Sequence, residues 1–263
     1  MNTSSRLVIR VGTDSLSFAV IDGNADNQIV FEPYDMRSGI SVAANLREAF
    51  ANSELLMAGY DKVHVVIDSP VVLVPTAEMP GIDIEGAYNT AISDARNHTV
   101  LSQEIPELGA TALFAINKDL KLVVDDHFAD VRISTLMASV WRYLYHRDST
   151  SIGRQLFAYR HGNLTDVFAF AHGRFRFANT FRTRATADTA YFILAVWDQL
   201  GFDSHRDEIH LAGFGDDNDE MRQQLSRFVE SVATINPSAE FNRAPITRIK
   251  GLPLDMMTLF VKK

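Results

Sequence analysis

The chain has 263 residues, a formal net charge of −8 and no cysteine. Disulfides, thiol nucleophiles and thiolate metal sites are therefore excluded, and an acidic chain repels phosphate backbones unless a local basic patch overrides the mean, so nucleic acid is not the expected partner. Hydrophobic residues at 46% and charged residues at 22% suit a folded protein; no apolar run follows the start at Met1, and none approaches the roughly 20 residues of a membrane span, so a cytoplasmic protein is expected.

Residues 7–11 are rich in β-branched side chains and predict a strand. Gly12, Thr13, Asp14 and Ser15 turn the chain into a second strand over 16–21. Asp22-Gly23-Asn24 is a turn signal, and residues 28–34 predict a third antiparallel strand. Ile40, Ala43, Leu46, Ala49 and Phe50 recur at helical spacing within 39–57. Residues 63–67 and 71–74 read as strands, the second bracketed by Pro70 and Pro75, and 84–96 reads as a helix. A strand pair over 99–105 and 111–116 precedes two helices, 117–128 and 133–146, with a short strand near Val131. The stripe of Met137, Val140, Trp141, Leu144 and Tyr145 is expected to pack on the first domain's sheet.

The polar, small residues 147–153 fit a linker. They divide the chain into domains 1–148 and 149–263. After them the opening pattern returns: strands over 155–159, 166–171 and 175–181, with turns at His161-Gly162-Asn163 and His172-Gly173. A helix over 185–200 and a buried strand over 209–212 follow, then Gly213-Phe214-Gly215 and a helix over 217–232. A strand near 239–242 and an apolar tail over 252–261 end the chain. The fold class is thus α/β, with two domains, each a mixed sheet opening with three antiparallel strands and flanked by helices. A long-period repeat of this kind marks two related domains, and a cleft between such domains is a common ligand site.

This duplicated opening resembles the actin, heat-shock chaperone and sugar-kinase superfamily of actin-like ATPases, whose domains are ribonuclease-H-like. The stretch Ile67-Asp68-Ser69-Pro70-Val71-Val72-Leu73-Val74-Pro75-Thr76-Ala77-Glu78-Met79-Pro80 is similar to the first domain of PilM-type pilus-assembly proteins, as is Leu113-Phe114-Ala115-Ile116-Asn117-Lys118-Asp119-Leu120. The chain also resembles a bacterial family of unassigned function with this fold. The resemblance spans nearly the whole chain and rests on element order more than on motifs.

It implies a nucleotide chemistry against which the residues can be checked. The superfamily uses an Asp in the first hairpin to hold the water shell of Mg²⁺, then Gly and Ser or Thr near phosphate, and repeats this in the second domain. A Gly-Gly turn receives the adenosine. Glycine leaves backbone N–H groups open to phosphate, and carboxylates suit Mg²⁺ because it takes hard oxygen ligands. Here Arg10 stands at the first Asp position, although Gly12, Thr13, Asp14 and Ser15 keep the loop. In the second hairpin Tyr159 stands at the Asp and His161 at the first Gly; Gly162, Asn163, Thr165 and Asp166 follow. Gly213 and Gly215 are split by Phe214, with Asp216, Asp217 and Asp219 beyond.

Loss of both carboxylates argues against Mg²⁺-dependent hydrolysis, so no catalytic residue and no metal ligand is assigned. Arg10, Gly12, Thr13, Asp14, Ser15, Gly162, Asn163, Thr165, Gly213 and Gly215 are the candidate binding residues of an interdomain cleft. Arg10 can face an anion or pair with Asp14 or another carboxylate, and the Gly12 turn needs no ligand at all. The expected function is a non-catalytic scaffold with a protein partner and no cofactor. The alternative is an ATP-binding ATPase or kinase with altered ligands, with Asp14 or Asp166 on the metal; a small-molecule sensor is a third class.

Residues 174–184 mix Arg174, Arg176, Arg182 and Arg184 with Phe175, Phe177 and Phe181. Strict alternation puts the three aromatics on one face. The simpler reading is a strand with aromatics inward and arginines in solvent; the functional one is a strip for an acidic protein or nucleic acid. No histidine has zinc-ligand spacing, Gly-x-Ser-x-Gly is absent, and adjacent Asp125 and Asp126 read as a solvated helix end.

Overall fold

A computed structural model describes residues 6–21, 29–92, 97–148 and 153–261. The predicted turn at Asp22-Gly23-Asn24, the end of the 84–96 helix and most of the 147–153 linker lie outside them. Two compact units partition the chain: Met1–Ser139 with Pro245–Met256, and Val140–Ala244 with Met257–Lys263.

In the first unit β1 (Arg6–Val11), β2 (Leu16–Ile21) and β3 (Ile29–Tyr34) form an antiparallel meander. Then come α1 (Val42–Asn52), α2 (Glu54–Met57), β4 (Lys62–Ile67), β5 (Val72–Pro75), α3 (Ile84–Ala91), β6 (His98–Ile105), β7 (Ala110–Asn117), α4 (Lys118–His127), β8 (Val131–Thr135) and the start of α5 (Met137–Asp148), which belongs to the second unit from Val140 on. The main sheet has the order β3-β2-β1-β4-β8, with β1, β4 and β8 parallel. Its central strands are nearly continuous apolar runs because both faces are covered. Leu7, Ile9, Val63 and Val65 pack with Leu46 and Ala49 of α1 and Leu120 and Val124 of α4. A second, antiparallel sheet has the order β5-β7-β6.

Two predicted boundaries move here. The single helix over 39–57 is broken at Ser53, whose extended backbone (φ −93°, ψ 117°) ends α1. Its hydroxyl accepts the Leu56 amide at 3.2 Å and starts α2, since a serine side chain competes for backbone donors better at a cap than inside a helix. The helix predicted from Ile133 begins only at Met137. Val131 and Ile133 are β-branched and pair with Val63 and Val65 in the sheet.

The second unit repeats the plan. It contains β9 (Arg154–His161), β10 (Leu164–Ala171), β11 (Arg174–Arg182), α6 (Thr186–Gln199), β12 (Glu208–Ala212), α7 (Asn218–Leu225), β13 (Ser231–Thr234) and α8 (Pro237–Glu240), before α9 (Leu254–Phe260), within which the chain passes between units. The sheet order β11-β10-β9-β12-β13 matches that of the first unit element for element. Leu156, Ala158, Ile209 and Leu211 pack with Ile193 and Trp197 of α6 and with Met221 and Leu225 of α7.

Here too the sequence reading needs correction. The 217–232 helix stops at Leu225, and β13 pairs Val232 beside Ile209. The strand expected at 239–242 is instead the short helix α8: Asn236 accepts the Ser238 amide at 3.0 Å, and Pro237 has the φ that a first helical turn requires. The aromatics of β11 do not share one face. A bulge at Ala169/Phe170 sets Phe177 opposite Ala169 but Phe175 opposite Phe170, and so flips the alternation between them. Tyr145 of α5 meets the Phe170 ring at 5.7 Å, in the second unit rather than on the first domain's sheet.

Candidate functional site

Arg10 lies in β1 opposite Ser17 on one side and Val66 on the other, with 7% of its surface exposed. A guanidinium cannot lose its charge to suit burial, so a buried one requires an anion or several acceptors. Arg10 meets Asp255 of α9: Nε donates to Oδ1 at 2.8 Å and Nη2 to Oδ2 at 3.0 Å. Nη1 donates to Ser15 Oγ at 3.2 Å. Asp255 is wholly buried. This is the fork-on-fork pairing that guanidinium and carboxylate geometry favour.

The hairpin turn is built around that contact. The Gly12 amide bonds the Ser15 carbonyl at 2.7 Å. A Cβ on Gly12 would stand 2.5 Å from Ser15 Oγ and 3.0 Å from Arg10 Nη1, so glycine is required for the arginine to reach the serine. Thr13 and Asp14 are exposed, and Arg10's carboxylate partner is Asp255 rather than Asp14. The start of α9 is fixed further by Ser139 Oγ, which donates to the Asp255 carbonyl at 3.0 Å, and by Ser17 Oγ at 3.4 Å from Met256 Sδ. Sequence reasoning did not single out Asp255. Its signal was there: one carboxylate among Leu254, Met256 and Met257 in an otherwise apolar tail.

In the second unit Gly162 takes a positive φ of 59° at the tip of the β9–β10 hairpin. Tyr159 and His161 are buried and stacked, their rings 5.3 Å apart. His161 Nε2 bonds Asp166 Oδ2, and the other oxygen, Oδ1, accepts from Thr180 Oγ1 at 2.6 Å. Both Asp166 oxygens are thus engaged within the sheet. Thr165 and Thr183 hydroxyls meet at 3.2 Å, and the Asn163 carbonyl accepts the Thr183 amide at 3.0 Å.

The turn after β12 packs against this hairpin. Gly213 has φ 78°, and a Cβ there would stand 2.1 Å from the Arg160 carbonyl oxygen. Gly215 also has a positive φ, 55°, with nothing within 4 Å of a Cβ. Phe214, between them, is buried in the core. Arg160 reaches over the turn to Asp217 at 2.6 Å, leaving its guanidinium 5.9 Å from the Phe214 ring centre. The structure therefore brings Tyr159, Arg160, His161, Gly162, Asp166, Gly213 and Asp217 together, and separately Arg10, Gly12, Ser15 and Asp255.

Other candidates resolve simply. Asp125 pairs with Lys121 at 2.5 Å and Asp126 is exposed, a solvated helix end. His127 stacks on Phe50 at 3.8 Å. His64 of β4 bonds Ser134 Oγ at 2.7 Å, and burial, with Arg132 and Arg6 adding to it, pushes its pKa down to about 3. Among the described residues no three acidic or histidine side chains gather in a way that could hold a metal ion.

The sequence model of the family described as "Protein of unknown function (DUF3822)" matches residues 2–232. No curated protein matches the sequence. Among solved structures, a Bacteroides thetaiotaomicron protein with an actin-like ATPase fold and unknown function is similar at a TM-score of 0.81 and 22% identity, covering 94% of this chain and 96% of that one. A PilM–PilN type IV pilus biogenesis complex is similar at a TM-score of 0.55 and 13% identity, with 89% of each chain covered. Such likeness is one of fold: two actin-like domains, each a mixed sheet flanked by helices. Among the described residues no helix is long and apolar enough to cross a membrane.

Proposed function

The chain belongs to the DUF3822 family, and we propose that it is a non-catalytic, partner-binding protein of the cytoplasm, built on an actin-like fold whose nucleotide site is degenerate. The observation that carries this reading is the Arg10–Asp255 pair. At the position where the superfamily keeps a carboxylate for the water shell of Mg²⁺, this chain has a cation already bonded at 2.8 and 3.0 Å to its own buried carboxylate. A guanidinium offers no lone pair to a metal or its waters. For Arg10 to bind phosphate instead, the buried Asp255 would lose the guanidinium that holds both its oxygens, which is costly for a buried ion.

The second hairpin supports the same reading. Tyr159 stands at the other carboxylate position and is buried against His161. Asp166, the nearest acid on that hairpin, has both oxygens committed to His161 and Thr180. A Mg²⁺–nucleotide therefore does not fit the residues present, and no reaction step is drawn through one. Folds of this kind also serve as binding platforms: PilM, a structural neighbour, is seen in a complex with PilN. The partner of this chain is accordingly taken to be a protein.

Thermal denaturation with and without millimolar ATP, each with and without Mg²⁺, tests the proposal. A ligand that binds only the folded state stabilises it by about 4 kcal/mol at a thousandfold excess over Kd, which a melting curve resolves. An unchanged Tm in all four conditions is expected. A rise of several degrees that needs both ATP and Mg²⁺ overturns the proposal. A rise without Mg²⁺ dependence makes Arg10 an anion ligand and replaces the scaffold by a binding-only sensor.

A further inference from the structure

We propose that the open edge of β11 receives an extended acidic segment of a partner protein as an added strand. The nine residues Arg174–Arg182 end their sheet and, among the described residues, pair only with β10. From Phe177 to Arg182 the register with β10 is unbroken. The Thr183 amide reaches back to the Asn163 carbonyl at 3.0 Å. Backbone groups alternate along an antiparallel strand, so Phe177, Asn179 and Phe181 turn theirs toward β10, and Ala178, Thr180 and Arg182 turn theirs outward. The Thr180 amide bears this out: it donates to the adjacent Asn179 Oδ1 at 2.9 Å, a local substitute for a strand partner.

The charge on this edge is concentrated and uncompensated. Arg174, Arg176, Arg182 and Arg184 are all exposed, and no acidic residue occurs over 172–187. Among the described residues none of these four forms an ion pair, whereas Arg10, Arg37, Arg147, Arg154 and Arg160 each do. On a chain of net charge −8, four unpaired arginines along one edge form a local positive field that attracts acidic ligands.

The two faces of the edge differ. Phe181 stacks on Phe192 of α6 at 4.6 Å, and Tyr191, 67% exposed, stands edge-on to Phe192 at 5.5 Å. That side offers aromatic surface, while Arg182 lies on the opposite face. A strand alternating acidic and apolar residues meets both sides at once, with main-chain hydrogen bonds to the outward groups. A second copy of this chain would set arginines against arginines. Nucleic acid would use the arginines but leave the strand's open amides without carbonyl partners.

The test uses the full chain and a short fluorescein-labelled peptide of alternating glutamate and valine, followed by fluorescence anisotropy. The expected result is saturable binding that weakens with salt and is absent for the lysine–valine peptide. The double variant R176E/R182E should weaken it about tenfold or more. Ala178→Pro should do the same by deleting an outward N–H that β10 does not use; melting curves confirm that both variants are folded. Equal binding of the lysine–valine peptide, or affinity unchanged in both variants, overturns the proposal. So does an oligothymidylate that binds these arginines more tightly than the acidic peptide, or a dimer that disappears in Ala178→Pro. None of these residues belongs to either hairpin, so the result is independent of the nucleotide test.

Discussion

Both carboxylate oxygens of Asp255 are held by the guanidinium of Arg10, 245 residues away in sequence, at 2.8 and 3.0 Å. The pair joins the first strand to the last helix in a site closed to solvent. Removing one partner takes the opposite charge of the pair away from a buried ion, which costs about 3–5 kcal/mol. Asp255→Ala and Arg10→Ala should each lower urea-unfolding stability by that order. The double variant R10M/D255L removes both charges of the pair and should recover at least half of the loss. Single variants within about 1 kcal/mol of the parent would show that the contact does not hold α9 in place.

Gly213 and Gly215 look alike in sequence and differ in what surrounds them. Both have positive φ, which costs a non-glycine residue about 1 kcal/mol or more. At Gly213 a Cβ would also lie 2.1 Å from the Arg160 carbonyl oxygen, backbone that cannot swing aside. Gly213→Ala should therefore cost several-fold more stability than Gly215→Ala, whose Cβ enters open space. Equal losses in urea melts would mean that β12 and β9 separate easily at this point.

Much of the fold was legible because the central strands are written as unbroken apolar runs. The repeated strand–turn–strand–turn–strand opening marks the antiparallel half of each five-stranded sheet. What escaped was local competition. Ser53 caps a second helix inside a helical pattern, Val232 joins a sheet beside Ile209 because α7 ends early, at Leu225, and the bulge beside Phe175 reverses a face that strict alternation would fix. At the candidate site, Arg10 in an apolar run pointed either to an anion or to a carboxylate partner. Which carboxylate that is could not be read from spacing, because Asp255 comes from the far end of the chain.

Asp166 was a possible metal ligand in sequence and is a structural acceptor in the sheet, bonded to His161 and to Thr180 at 2.6 Å. Removing it deletes one hydrogen bond to the buried His161 and one to the exposed Thr180, and a bond to a charged acceptor is worth about 1.5–3 kcal/mol when buried and less when exposed. Asp166→Ala should lose more stability than Thr180→Val, which deletes only one of the contacts. The loss should be the same in EDTA and in Mg²⁺. A parent protein that gains several degrees in Mg²⁺, with the gain abolished by Asp166→Ala, would restore the metal-ligand assignment.

His64 makes acid stability a test of burial in β4. Its pKa is lowered from 6.5 to about 3, chiefly by burial and then by Arg132 and Arg6. Below pH 6.5 the unfolded chain takes up a proton that the folded chain refuses until pH about 3. The stability held by the neutral imidazole is therefore complete above the unfolded pKa and drains away as pH falls toward the folded one. The slope is about 1.4 kcal/mol per pH unit for a single group. Because Ser134 Oγ loses its partner when His64 is replaced, the informative variant is H64V/S134A, which removes both polar groups. Urea melts between pH 6 and pH 4 should show a shallower loss in this variant by close to that slope, since every other titrating group is common to both proteins. Identical slopes would mean that His64 takes up its proton in the folded state as readily as in water, and that β4 is open to solvent at this position.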